Sequence, residues 1–541
     1  MLQGTPILVL KEGTERERGK GATANNIAAA RAVADAVRST LGPRGMDKML
    51  VDSMGDITIT NDGVTILKEV DVEHPAAKML VEVAKTQDQQ CGDGTTTAVV
   101  LAGELLKRSE YLLEQNVHPT VITRGFQLAV QEARRLLDAE IGTTVKRDDE
   151  GVLRDCAVTA MGSKGVVGSR EGLADIVVKA VKRIAEERGG KIVCDVDQIK
   201  VEKRHGGTVS DTELIEGIVL DKERGHPRMP TEITSARIAL LNSALEIKKT
   251  EIESKINIKT PSQIQSFLDE EDKTFRRMVD AVKASGANVV VSQKGIDDVV
   301  LHYLAKEGIY AVKQVKESDL QKLARATGGH IVTGIKELSK TDLGSAAKVD
   351  ERKVGDDHMT FVTGCSNPRS VSILVRGGTE HVTQEVERSL HDALKVVASV
   401  LEDGLVCPGG GATEVDLAVR LRKWAGTVGG REQLAVEAFA QALEVVPWAL
   451  AENGGYDSIN TLIELRSAHD GSKASRNVGV NLSDGKAADM WKLRVIEPAR
   501  VKRQALSSAV EVASMVLRID DIIASKKSSP APPGGPGGHD H

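Results

Sequence analysis

Long stretches of helical periodicity, broken by short apolar runs and glycine-rich punctuation, organise this chain. Across residues 22–41, Ile27, Val33, Val37 and Leu41 form one helical stripe, and Gly42-Pro43 ends it. Similar patterns predict helices over 76–89, 97–115 and 119–141. A short apolar run at 6–10 predicts a strand. Ile57-Thr58-Ile59-Thr60 and Val64-Thr65-Ile66-Leu67 flank Asn61-Asp62-Gly63, which predicts a β-hairpin. Helical segments at 151–161 and 172–187 precede an alternating run at 191–203. Buried strands are predicted at 237–242, 288–292 and 308–312, and helices at 297–307 and 318–327. That alternation predicts an α/β layer. One long helix is predicted over 379–403, with Val382, Val386, Leu390, Ala393, Val397 and Leu401 on its stripe. A second mostly helical region follows, to about 467, and the Ser/Pro/Gly-rich end from 526 predicts a disordered tail.

The segment 246–282 stands apart. Charged residues dominate 246–259, with isoleucines at 252, 256 and 258. Pro261 breaks the chain, and a helix is predicted over 262–282 with Ile264, Phe267, Leu268, Phe275, Met278, Val279 and Val282 as its apolar positions. It reads either as an amphipathic helix packed on its own domain or as a projecting arm.

Bulk properties narrow the choices. A chain of 541 residues is too long for one core and predicts two to four domains. Aromatics are only 2%, so the cores must be aliphatic and alanine-rich. The net charge of −6, without a basic stripe or stacking platform, argues against nucleic acid as the main partner. Five dispersed cysteines form no C-x-x-C pair, which argues against zinc or a disulfide framework and for free thiols in a reducing cytoplasm. No signal-peptide pattern or membrane-length apolar run is read, so a soluble cytoplasmic protein is expected.

The densest chemistry lies at Cys91-Gly92-Asp93-Gly94-Thr95-Thr96-Thr97. Two glycines flank a carboxylate, three hydroxyls follow, and a helix begins at once. A helix N-terminus with unpaired N–H groups attracts phosphate, glycines allow close approach, and Asp93 is a candidate magnesium ligand. Asp or Thr at a helix start is also an ordinary N-cap. The segment 13–21 fails as a P-loop on spacing and on its missing hydroxyl.

Several separate segments together resemble one family. They are Leu41-Gly42-Pro43-Arg44-Gly45-Met46-Asp47-Lys48, Asn61-Asp62-Gly63, Gly92 to Thr97, Met161-Gly162-Ser163-Lys164 and Pro408-Gly409-Gly410-Gly411-Ala412-Thr413-Glu414. In order and spacing they resemble the group II chaperonins, most closely the archaeal thermosome type, related to the eukaryotic cytosolic chaperonin TRiC. The resemblance runs from about residue 5 to 525. It implies a multidomain α+β and α/β subunit: a mostly helical equatorial ATPase domain (1–145 and 404–525), an intermediate hinge domain (146–213 and 370–403), and an α/β apical domain (214–369) with a helical protrusion at about 246–282.

The same resemblance assigns roles. Asp93 matches the magnesium ligand, Gly94, Thr95, Thr96 and Thr97 the phosphate cradle, and Leu41, Gly42 and Pro43 a loop on another side of the nucleotide. Gly410 and Gly411 match a loop near the adenosine, Glu497 an acidic position near the ribose, and Lys164 a nucleotide-sensing loop. Asp392 lies about 200° around the helix from Leu390, off the stripe, where a solvated face is the ordinary reading. The match instead makes it the base that acts on water, with Asp62 nearby, arriving when the subunit closes. Ile256, Ile258, Phe267 and Leu268 become contacts for neighbours or unfolded chains. ATP and Mg2+ are the implied cofactors. The implied partners are like subunits in stacked double rings and unfolded polypeptides, with no separate lid co-chaperonin, nucleic acid or membrane. Two departures stand out: Gln89-Gln90-Cys91 replaces a commonly acidic pair and an aliphatic residue, and the tail carries Pro and His. The competing readings are a small-molecule ATPase or kinase, and a non-catalytic holdase or scaffold.

Overall fold

A computed structural model describes residues 15–70, 72–164, 168–247, 261–367, 369–470 and 476–524. The strand at 6–10, Ile256, Ile258 and the tail lie outside the described residues.

Both halves of the chain contribute to one large helical core. Helices Lys20–Arg38, Pro75–Cys91, Thr95–Glu114 and Pro119–Leu136 pack with Ala412–Val428, Glu432–Leu443 and Ala499–Leu517. The aliphatic composition is visible there: Ile27, Leu80, Leu105, Leu106 and Ile122 are fully buried among alanines, and Phe126 and Phe439 meet at 6.3 Å. Thr95–Glu114 is buried almost all round, because helices cover it on several sides. The ends of the described chain also meet: Glu15–Arg18 pairs antiparallel with Asp521–Ala524.

A second core holds Leu153, Val177, Val181, Val386, Leu390 and Val397. It lies between helices Glu150–Ala160, Arg170–Ile184 and Glu380–Asp403 and a three-stranded sheet of Lys200–His205, Ser372–Gly377 and Glu213–Ile215. The middle of the chain builds a seven-stranded mixed sheet. Its order is Tyr310–Val312, Val289–Ser292, Glu232–Leu241, Gly344–Val354, Asp357–Cys365 and Gly217–Leu220, with Ile331–Val332 also pairing with Glu232–Leu241. The half with intervening helices is parallel and the meander half antiparallel, as crossover length requires. The Pro261–Ser285 helix packs through Phe275, Val279 and Val282 onto this domain, and Leu268 is 52% exposed toward its other end.

Several expectations are corrected. Residues 57–67 are not a hairpin. Ile57–Thr60 pairs with Lys48–Val51, and Val64 to Leu67 belong to a helix, Gly63–Glu69, capped by Asp62. Alternation of β-branched residues spoke for a strand there, but the cap and the burial of Val64, Ile66 and Leu67 against the helical core decide otherwise. The helix expected to start at Thr97 starts at Thr95. That expected over 119–141 ends at Leu136 and closes in a π-helical turn, Leu137–Ile141. The run at 191–203 is two strands separated by a 3-10 turn at Val196–Gln198. Val382 leaves its stripe for solvent, at 39% exposed, because the helix's first turn projects beyond the core. Asp392 is buried rather than solvated. Within Glu432–Asn453 one window is apolar enough to cross a membrane by length and composition alone, and 78% of that window is buried inside the helical core.

All five cysteines are free, four of them buried. Burial pushes the thiols of Cys91, Cys194 and Cys407 up to about 12.

Candidate active site

A cleft of about 560 Å3 opens where the first two cores meet. Its floor is a junction of helix ends. Pro75–Cys91 ends on Gly92, Asp93 follows, and Thr95–Glu114 begins beyond Gly94 with no side chain capping it. Gly94 adopts φ +76°, and a Cβ there would lie 2.7 Å from Val501 Cγ1, so no side chain fits the turn. The buried Gln87 side chain ties the junction down, donating to the Asp93 carbonyl at 2.8 Å and to the Val501 carbonyl at 3.2 Å. The Asp93 carboxylate accepts from Gly94 N–H at 2.6 Å. A second helix start converges here: Gly63 packs so closely on Thr96 that a Cβ would meet its Oγ1 at 2.5 Å. The Thr95, Thr96 and Thr97 hydroxyl-bearing turn therefore lies at the convergence of two positive helix ends.

Above this floor sits a charge cluster drawn from three distant segments. Lys164, 4% exposed, lies 3.4 Å from Asp62 Oδ1 and 3.2 Å from Asp392 Oδ2. Its Nζ makes no hydrogen bond of good geometry among the described residues. Asp62 caps its helix by accepting from Thr65 N–H at 3.1 Å and from Thr65 Oγ1 at 2.7 Å. The two carboxylates differ in basicity. Burial opposes the charge of Asp62, but Lys164 and Thr65 outweigh it and hold that carboxyl below the usual range. At Asp392 burial prevails over Lys164 and raises the carboxyl above its ordinary value. Lys164 is held above the usual lysine range because Asp392 and Asp62 outweigh its burial. Two carboxylates whose environments push them apart offer distinct roles, and Asp392 is the more basic.

The opposite wall comes from the C-terminal half. Strand Leu405–Pro408 pairs antiparallel with Ile496–Pro498, placing Cys407 opposite Glu497. The glycine loop follows, and a Cβ at Gly409 would approach Glu497 Oε1 at 2.6 Å. The Gly410 carbonyl accepts from Val480 N–H at 2.9 Å, which carries the 480–483 segment into the cleft. Beneath, Lys502 is shared by Glu497 at 2.7 Å and Glu414 at 2.8 Å. Leu41, Gly42 and Pro43 close a further side, held by Asn453 Nδ2 donating to the Leu41 carbonyl at 2.9 Å.

The cleft thus gathers Leu41, Gly42, Pro43, Asp62, Asp93, Gly94, Thr95, Thr96, Thr97, Lys164, Asp392, Gly410, Gly411 and Glu497 from segments up to several hundred residues apart. Leu268 does not line it. Participants missed in the sequence include Gln87, Arg170, Lys502 and the 480–483 segment. Lys502 left a trace, since it falls beside Val501, Ala505 and Leu506 on a buried helical face where a lysine is out of place. Gln87 left none.

The residues fit a nucleotide with a divalent cation. Uncapped helix N–H groups with hydroxyls suit phosphate, and the Lys164 ammonium has hydrogen-bond capacity to spare. Burial and the nearby Asp392 push the Asp93 carboxyl up to about 6, a local excess of negative charge that a cation relieves. A carboxylate is the donor type that magnesium takes.

Comparison with known proteins identifies the family. Residues 33–527 match the model of the TCP-1/cpn60 chaperonin family. The chain is 61% identical to the thermosome subunit alpha of Thermoplasma acidophilum, over 98% of this chain and 96% of that one. It is 56% identical to the thermosome subunit beta of Archaeoglobus fulgidus, over 97% and 96% of the two chains. It is also 56% identical to a thermosome subunit of Pyrococcus horikoshii, over 99% and 97%. With a cleft shaped for a nucleotide and matches that run nearly end to end, the chain belongs to the TCP-1/cpn60 chaperonin family.

Proposed function

We propose that the chain is a subunit of a cytoplasmic double-ring chaperonin that hydrolyses ATP to fold non-native polypeptides. The observation that carries the proposal is the Asp62–Lys164–Asp392 cluster above the uncapped start of Thr95–Glu114. The Thr95, Thr96 and Thr97 turn receives the phosphates, Gly42 and Pro43 bracket them, Gly410 and Gly411 flank the adenosine, and Glu497 takes the ribose. Asp93 holds magnesium, which when bound neutralises phosphate charge. Asp62 and Asp392 orient the attacking water, and Asp392, the more basic, accepts its proton as the water oxygen bonds to the γ-phosphorus and the bond to the β–γ bridging oxygen breaks, giving ADP and inorganic phosphate. Lys164 offers its ammonium to the γ-phosphate and senses its loss.

The three-domain division proposed from the resemblance is supported by separate hydrophobic cores for the helical part, the three-stranded part and the seven-stranded part. Asp392 belongs to the second core and Asp93 to the first, so movement between them gates the chemistry. For ring assembly the supporting feature is the ribbon Lys48–Val51 with Ile57–Thr60. Met46, Met49, Val51 and Met54 on and beside it are 62–84% exposed, and among the described residues neither strand has a further pairing partner. A neighbouring subunit covers it. The Pro261–Ser285 helix serves as part of a built-in lid in place of a separate co-chaperonin.

Asp392→Ala tests the core of this reading. It is expected to bind ATP normally and to lose about 10²–10⁴-fold in hydrolysis rate. Near-normal turnover in that variant rejects the assignment.

A further inference from the structure

Five described cations line the cleft: Arg154, Lys164, Arg170, Arg494 and Lys502. Four are matched by carboxylates. Arg154 pairs with Glu171 at 2.9 Å and Asp175 at 3.1 Å, and Arg494 with Asp155 at 2.7 Å. Lys164 and Lys502 hold the acid pairs already described. Arg170 alone has no carboxylate partner among the described residues. Among the described residues its hydrogen bond is Nη2 donating to the Lys164 carbonyl at 3.2 Å. Its Nε is buried with no hydrogen-bond partner among the described residues. A guanidinium carries five N–H donors in a fixed fork that matches phosphate oxygens, and leaving buried donors unmet is costly. An arginine without a carboxylate, in a cleft whose other described cations each have at least one, is a place for an anion.

We propose that Arg170 reads the terminal phosphate of the bound nucleotide, so that the cleft separates a triphosphate from a diphosphate. The proposal rests on the reading of the cleft as an ATP site. Two features make the position suitable. The bond to the Lys164 carbonyl joins Arg170 to the lysine already facing Asp62 and Asp392. Arg170 also opens helix Arg170–Ile184, which packs against Glu380–Asp403, the helix that carries Asp392. A phosphate held by Arg170 therefore pulls on two segments of the second core, and its loss as inorganic phosphate releases both.

The test compares ATP and ADP binding by calorimetry on the assembled protein with magnesium, for wild type, Arg170→Met and Arg170→Lys. Arg170→Met is expected to weaken ATP by about 10–100-fold, the worth of a charge-assisted hydrogen bond to phosphate, and to leave ADP within about twofold. Arg170→Lys, which keeps the charge but not the fork, recovers part of the ATP affinity. If Arg170 merely braces the Lys164 loop, Arg170→Met weakens both nucleotides alike, and the proposal falls. It also falls if neither affinity moves. Should Arg170→Met fail to assemble, Arg170→Lys decides: ATP affinity equal to wild type, with an unchanged ratio to ADP, overturns the proposal. A wild-type protein that binds neither nucleotide overturns the ATP reading itself, and this inference with it.

Discussion

Lys502 shows how much depends on single residues at this site. It is buried with Glu414 and Glu497 close on either side, and it answers two carboxylates at once. Removing it in Lys502→Met leaves two buried carboxylates unpaired, and a broken buried ion pair costs about 3–5 kcal/mol. The denaturant midpoint is expected to fall accordingly at neutral pH. Burial already holds the Glu497 carboxyl above its ordinary value, with Lys502 opposing the rise, so without the lysine it rises further. A carboxyl whose folded pKa lies above its unfolded value costs stability while ionised. The deficit is therefore full above that raised pKa and shrinks as the pH falls through it. A midpoint difference that stays flat from pH 7 down to pH 4.5 contradicts this account. The glycines, Asp93 and the threonines were legible because their spacing is local. Lys502 and Gln87 were not, because their roles come from what lies across the cleft rather than along the chain.

At the scale of elements, the long helix Glu380–Asp403 decides where Asp392 sits, and Lys395 decides where that helix sits. Lys395 Nζ donates to the carbonyl of Asp88 at 2.8 Å, at the C-terminal end of Pro75–Cys91 where a cation is favoured. Its stem packs over Gly92, where a Cβ would lie 2.7 Å from Lys395 Cβ. Near the helix's far end, Arg500 pairs with Glu402 at 2.7 Å and bonds Asp403 as well. Lys395→Met keeps the stem and removes the anchor. It is expected to lower kcat by about 10–100-fold with KM little changed, since sub-ångström placement of a reacting group carries effects of that size. Steady-state kinetics on the assembled protein checks it, and a rise in KM with constant kcat argues against. The misread segment at 57–67 belongs to this scale too. Alternating Ile and Thr predicts a strand as far as Thr60, but Val64 to Leu67 fall in with the helical core, and Asp62 becomes a cap. A four-residue pattern does not separate strand from helix when burial favours either.

For the whole molecule, the family membership predicts an assembly far larger than the 57.8 kDa chain. The exposed methionine-bearing ribbon is where a neighbour is expected to bind. Met49→Glu combined with Met54→Glu places charge in that contact without touching either core. Gel filtration is then expected to shift from a ring to a smaller species, while the circular dichroism of the subunit is unchanged. A double variant that still elutes as a ring moves the contact elsewhere.

By itself the sequence determined the helical and strand-rich regions, the aliphatic cores, and the glycine-flanked Asp93 turn, because these follow from local periodicity, composition and backbone conformation. Through its motifs it also determined the family. Only the tertiary structure brought Asp62, Lys164 and Asp392 within reach of one another, buried Asp392 on a helix face that periodicity assigns to solvent, and left Arg170 without a carboxylate among the described residues. The physical reason is the same in each case. Charge, burial and basicity depend on which distant segments share a low-dielectric cleft, and one-dimensional spacing carries no record of that meeting.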